Sequence, residues 1–213
     1  MVADQPFADP KTIRRNDPLF DFDKRIRASG FAYLGGADES GRGALAGPLA
    51  AAAVILPEDL YLEGLDDSKR VTPKKRETLY VLITEGAICW KVILIEPSEI
   101  DKKGLHVANL YALESAVKAL DPAPDFVITD RYEAKQLNMP HLGVKKGDRV
   151  SATIAAASII AKVTRDRIMR EYADRYPEYG LEQHKGYGTK SHFLAIRKHG
   201  PSPIHRRSFA GVV

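Results

Sequence analysis

Apolar and polar positions follow no period through residues 1–17, where Pro, Asp, Asn and basic side chains alternate, and this pattern predicts a floppy lead-in. From residue 18 the chain is patterned. "PLFDFDKRIRASG" (18–30) reads as a short helix closed by Gly30. "FAYLGGAD" (31–38) reads as a strand that gives way to a charged, glycine-rich turn. "PLAAAAVIL" (48–56) has no polar alternation, which predicts a strand buried on both faces. Residues 65–86 predict a loop and then a helix, with Thr72 as N-cap, Pro73 in the first helical position and Gly86 at the stop. "AICWKVILIEP" (87–97) predicts a third strand ending at Pro97. Val107, Leu110, Leu113, Val117 and Leu120 recur at a helical period within 106–120. "DFVITD" (125–130) predicts a fourth strand that ends on Asp130. Residues 151–177 predict a long helix with a buried, apolar first half, and 178–213 predict loops and short helices.

The element order predicts a mixed α/β sheet with helices packed on it. Its first three strands form a meander, and the fourth returns by a crossover. The 213 residues are 44% hydrophobic, enough for one full core with at most a small appendage. The single cysteine, Cys89, lies in an apolar run and reads as a small core residue. No disulfide can form within the chain, which points to the cytoplasm. The start has no signal-peptide core, and no run approaches the roughly 18 apolar residues of a membrane span. The net charge of +4 is mild. Its placement is more informative, because residues 184–207 gather Lys185, Lys190, Arg197, Lys198, Arg206 and Arg207 with four histidines and almost no acid. Such a segment suits a phosphate backbone, and equally a solvated face.

Candidate chemistry lies at the strand ends. Asp38 ends the first strand, Glu39 follows it, Asp130 ends the fourth, and Asp148 precedes the long helix. Ligand sites form at such ends in helix-covered sheets. Adjacent strand residues point to opposite faces, so Asp38 and Glu39 converge only if the chain leaves the strand there. Clustered carboxylates repel one another unless protonated or bound to a cation, and an all-oxygen set suits magnesium or manganese. Two such ions would serve phosphodiester hydrolysis. Taken singly, Asp38 and Asp148 read more readily as caps or turn formers, and Asp130 as a solvated loop residue. Gly41-Arg42-Gly43 lacks the Lys-Ser/Thr ending of a nucleotide-binding P-loop. Its glycines suit close backbone approach to a substrate, or simply a tight connection.

"GADESGRGALAGPLAAAAVIL", "DDSKR", "VITDR", "KKGD", "IAAASIIAKVTRD", "YGLEQHKGYGT" and "HRRSF" occur in one order and spacing over residues 20–209. In this the chain resembles type 2 ribonuclease H, the bacterial ribonuclease HII family. The resemblance implies an RNase H-like mixed sheet flanked by helices, spanning residues 18–177. It also implies a small C-terminal helical, basic, substrate-binding region over 178–213. It implies cleavage of RNA in RNA–DNA hybrids, and nicking 5′ of single ribonucleotides in duplex DNA as part of ribonucleotide removal. Asp38, Glu39, Asp130 and Asp148 match the family's catalytic and metal-binding acids, for Mg2+ or Mn2+, two ions with substrate bound. Gly41, Arg42 and Gly43 match its sensor of the ribose 2′-hydroxyl, and Tyr187 its stacking tyrosine. Ser68, Lys69 and Lys162 match positions near the phosphate backbone, with Lys185, Arg206 and Arg207 added from the basic segment. Ser40 stands where Ala or Val is usual and Ala44 where Pro is common, and a longer helical tail is expected to be absent or short. The chain is expected to be a monomer off the membrane, with binding to a replication clamp left open. Ribonuclease HIII, a DNA-only metal nuclease and a non-catalytic nucleic-acid binder are the competing readings. The arginine of the Gly-Arg-Gly turn weighs against ribonuclease HIII, Tyr187 with that turn against a DNA-only nuclease, and the intact acids against a non-catalytic binder.

Overall fold

The structure is a computed structural model and describes residues 17–132 and 136–213. The expected lead-in, except for Asp17, lies outside the described residues. Asp17 accepts a hydrogen bond from the Leu19 amide and caps α1 (Pro18–Ala28). Gly30, at φ +102°, donates to the Arg27 carbonyl and turns the chain away from the helix, as the sequence predicts. Strands β1 (Leu34–Ser40), β2 (Leu49–Ile55) and β3 (Cys89–Ile95) form an antiparallel meander. Between β2 and β3 lies α2 (Pro73–Gly86), whose N-cap Thr72 side chain accepts from the Lys75 amide.

The expected strand over 87–97 stops at Ile95. Pro97 does not merely end it but opens a short helix, α3 (Pro97–Lys103), because proline suits a first helical turn. Then α4 (Leu105–Lys118) crosses over to β4 (Phe126–Asp130), which pairs parallel with β1. A fifth strand, β5 (His141–Val144), pairs parallel with β4 and completes the order β3-β2-β1-β4-β5. The sequence did not announce it, since four residues including a glycine carry too little period to register. β3 is an edge strand, so Cys89 is half-buried rather than a core residue.

The central strand β2 is buried along its whole length. Its Ala51, Ala53 and Ile55 pack with α4, while Ala52 and Val54 pack with α2 and α5 (Ala152–Arg175). Alanines on both sides let α5 lie close to the sheet. A Cβ at Gly36 would stand 2.6 Å from the Thr153 carbonyl carbon, so glycine is required at that contact. The start of α5 is held by Ser151, which accepts from the Ile154 amide, and by Asp23 of α1, which accepts from the Thr153 amide and hydroxyl. A 3-10 turn over Gly147–Arg149 leads into it. Beyond α5 the chain makes a 3-10 turn (Pro177–Tyr179), then α6 (Leu181–His184) and α7 (Lys190–His199). These short elements have their own apolar cluster of Tyr179, Leu181, Ile196, Ile204 and Val212. It is closed by Met169 and Ala173 of α5 and by Leu45 and Ala46 of the loop after β1. No described helix is long and apolar enough to cross a membrane.

Candidate active site

Asp130 ends β4, Asp38 lies two residues short of the end of the neighbouring parallel strand β1, and Asp148 sits on the turn before α5. The expectation that the chain leaves the strand at Asp38 is not met. β1 continues through Ser40, with Asp38 opposite Ala52 and Glu39 opposite Ala51, so their side chains keep to opposite faces of the sheet. Their link runs instead through the open end of β1 and β4, where the charge of Asp130 acts on both acids. Asp130 Oδ1 accepts from the Gly147 amide at 2.7 Å, which draws the Asp148 turn against the strand end.

Crowding and burial raise the carboxyl groups of Asp38, Glu39 and Asp148. For Asp38, which is 6% exposed, burial and then Glu39 and Asp130 hold the pKa well above its ordinary value. Burial and Asp130 push Glu39 up to about 7, against the pull of Arg42, Asn109 and Lys69. Burial, Asp67 and Asp130 push Asp148 up to about 6. Glu39 Oε2 is buried with no hydrogen-bond partner among the described residues. Asn109 of α4 is fully buried beside it, and its amide makes no hydrogen bond of ordinary length yet favours the charged carboxylate. The donor set is therefore all oxygen, crowded and short of positive charge, which suits a hard divalent cation. Among the described residues no three His, Cys, Asp or Glu side chains already close into a metal cage, in keeping with the splay of Asp38 and Glu39 across the sheet.

Lys69 is the cation that faces Asp38 and Asp148. Burial alone would lower its pKa, but Asp38, Asp67 and Asp148 outweigh that and the net direction is up. Asp67 stands inside "DDSKR" and is not among the site residues the sequence points to. It is 3% exposed, accepts from Arg149 Nη2 at 3.0 Å and from the Lys69 amide, and so ties the Lys69 loop to the Asp148 turn. Only its spacing next to Lys69 could have signalled this. The Ser68 side chain is buried and receives a hydrogen bond from the Ser158 hydroxyl at 2.8 Å, which makes it a packing contact rather than an exposed phosphate contact.

Gly41, Arg42 and Gly43 begin directly after β1. The loop they open is bridged to the 185–187 turn by an isolated pair between Ala44 and Tyr187. The half-buried Tyr187 ring has Lys162 Nζ at 5.7 Å and Arg165 Cζ at 5.3 Å from its centroid. Lys162 is also paired with Asp166 at 2.7 Å. The Tyr187 carbonyl meets His192 Nδ1, whose Nε2 lies 3.1 Å from His205 Nε2. His205 Nδ1 accepts from the Ser202 amide, so its Nε2 carries the proton and donates to His192, which in turn donates to Tyr187. Lys185 is half-buried at the same turn. Arg207 is exposed, and Asp101 accepts its amide. Arg206 does not fulfil its expected role in the basic face. It is 0% exposed and spends its guanidinium on the carbonyls of Gly47 and Arg42.

The family model described as ribonuclease HII matches residues 35–212. A Bacillus licheniformis protein named ribonuclease HII is 51% identical over 191 residues, covering 90% of this chain and 74% of its own. The crystal structure of ribonuclease H2 from Pyrococcus horikoshii superposes with a TM-score of 0.72 at 27% identity, covering 84% of this chain and 94% of that one. Bst-RNase HIII in complex with Mn2+ shares the fold, with a TM-score of 0.67 at 21% identity, over 84% of this chain and 68% of that one. With its mixed sheet, crowded acids and Gly-Arg-Gly turn, the chain belongs to the ribonuclease HII family and is an endoribonuclease of the H type.

Proposed function

We propose that the enzyme cleaves the RNA strand of RNA–DNA hybrids and nicks duplex DNA on the 5′ side of a single embedded ribonucleotide. The products carry a 3′-hydroxyl and a 5′-phosphate. The observation that carries this reading is the continuity of β1 with the Gly41–Gly43 turn, which sets a backbone able to touch a sugar directly beside the acids. The 2′-hydroxyl is the group that separates RNA from DNA at a given sugar.

Asp38, Glu39, Asp130 and Asp148 would hold divalent cations, Mg2+ or Mn2+, two with substrate bound. Their crowding and the orphaned Glu39 oxygen support that fit. Phosphate oxygens and water complete such a site, which accords with the open cage. When bound, the cations supply Lewis-acid stabilisation of charge at the phosphate and make water acidic enough to attack. The chain's own contribution is positioning. Arg42 and the two glycines read the sugar, the Tyr187 ring stacks on the next one, and Lys69 and Lys162 attract the phosphates. Residues 178–213 act as a substrate-binding unit seated on the catalytic domain of residues 18–177, with Lys185 and Arg207 on its face.

The test is a gel of end-labelled duplexes with magnesium or manganese, comparing all-DNA, single-ribonucleotide and hybrid substrates. One nick 5′ of the ribonucleotide with a 3′-hydroxyl end is expected. Cutting of all-DNA duplex, a cyclic or 3′-phosphate product, or failure at the lone ribonucleotide refutes the proposal.

A further inference from the structure

Arg165 and Arg206 are both 0% exposed, and among the described residues neither forms a salt bridge with a carboxylate. Burying a guanidinium without a carboxylate is costly, so each of its nitrogens must find an acceptor elsewhere. Here they are met by backbone carbonyls of the recognition segments. Arg165 donates from Nε to Pro48, from Nη2 to Ala46 and from Nη1 to Lys185, each at 2.9 Å. Arg206 donates from Nε and Nη2 to Gly47 at 3.1 and 2.9 Å, and from Nη1 to Arg42 at 2.9 Å. Arg165 also lies against the Tyr187 ring and fills the space where a Cβ of Gly41 would be, 1.9 Å from its Nε.

Backbone bonds run between the same segments. The Leu45 amide donates to Gly186, the Gly47 amide to Ile204, and the Arg206 amide to Leu45. Burial lowers the pKa of both guanidinium groups, and the charge of Arg165 adds to this for Arg206, whose value falls to about 9.

We propose that Arg165 and Arg206 are positioning residues that lock the 41–48 loop, the 185–187 turn and the 204–206 segment into one rigid unit. That unit sets the distance between the ribose-reading turn and the Tyr187 ring. The inference rests on the proposed roles of Gly41–Gly43 and Tyr187. The two arginines touch no substrate in this reading. They decide how sharply a single ribonucleotide is told from a run of them, because a lone 2′-hydroxyl offers one register and a hybrid offers many.

Arg165→Lys and Arg206→Lys keep the charge and lose the planar fork. In variants that retain a cooperative thermal transition, kcat/KM on the single-ribonucleotide duplex should fall about tenfold more than on a long hybrid, the size of one lost charge-assisted bond to a positioned loop. Guanidinium ion, and not methylammonium, should restore the ratio in Arg206→Ala. An unchanged ratio in folded variants overturns the proposal. Should the variants fail to fold, hydrogen exchange on the wild-type protein decides. The amides of Leu45, Gly47, Tyr187 and Arg206 should open in one step with a common denaturant dependence, and separate opening overturns the coupling. Wild-type protein that spares the single-ribonucleotide duplex refutes the proposed function instead, and leaves the exchange result to judge the coupling.

Discussion

Gly43 and Gly41 stand two residues apart in one turn, yet the structure assigns them opposite reasons for being glycine. A Cβ at Gly43 meets nothing within 4 Å, and its φ lies outside the left-handed region. No described residue requires glycine there. Gly43→Ala should therefore stabilise the metal-free fold by about 0.4–1 kcal/mol, through a less free unfolded chain. For a domain of this size that raises Tm by about 1–4 °C. Gly41 sits at φ +84°, and its Cβ would lie 1.9 Å from Arg165 Nε and 2.4 Å from Cδ. The left-handed backbone costs an alanine about 1–2 kcal/mol. Moving Arg165 forfeits at least one hydrogen bond from a charged donor, worth about 1.5–3 kcal/mol. Gly41→Ala should thus lose about 3–5 kcal/mol, or roughly 6–20 °C in Tm. Calorimetry reads the stabilities, and cleavage of a single-ribonucleotide duplex reads the function. Gly43→Ala should lose about 10²-fold in kcat/KM while melting no lower than wild type, because the added methyl group holds the sugar about 1 Å away. Equal destabilisation by both substitutions would refute the loop geometry. Full activity of Gly43→Ala would refute close approach of the sugar.

Asp130→Asn should lower cleavage by roughly 10²-fold or more while substrate binding in calcium survives, since a ligand charge is lost and shape is kept; near wild-type turnover would refute its role. Asp38, Glu39 and Asp148 have raised pKa values in the fold, so the unfolded chain ionises them first and metal-free stability from these groups falls as pH rises from about 4 through 7. Manganese should accordingly raise Tm more at pH 8 than at pH 5.5, as followed by thermal shift, and an equal rise at both would count against the cluster. His205 has the opposite sign. Burial and His192 lower its pKa to about 4, so its contribution is complete above the unfolded value near 6.5 and is lost as pH falls toward about 4. His205→Gln should flatten the acid limb of the stability curve, and an unchanged limb would refute a neutral buried His205. Lys185→Ala and Arg207→Ala should each flatten the slope of log affinity against log salt by about one unit, as binding titrations in calcium would show, and unchanged slopes would mark these side chains as plain surface.

Local chemistry sufficed for much of the chain. Thr72 and Pro73 start α2 because their side-chain and backbone preferences act within a single turn, and the unbroken apolar run of β2 already implied burial on both faces. The strand-end position of Asp130 and the place of Asp148 just before α5 were legible for the same reason. Short elements were not. β5 exists because the edge of β4 offers it a partner, and α3 because Pro97 begins a turn whose continuation depends on packing of Ile100. Asp38 and Glu39 stay within the strand on opposite faces and are linked through the charge of Asp130, which needs the position of β4 to be known. Arg206 looked in sequence like another cation of a basic face. Its Gly47 carbonyl partner lies 159 residues away along the chain, and only the packing of the C-terminal elements on the loop after β1 makes that charge an interior one. Pattern reports what neighbours in sequence impose, whereas the burial of a charge and the meeting of distant carboxylates are decided by groups that only the tertiary fold brings within a few ångströms.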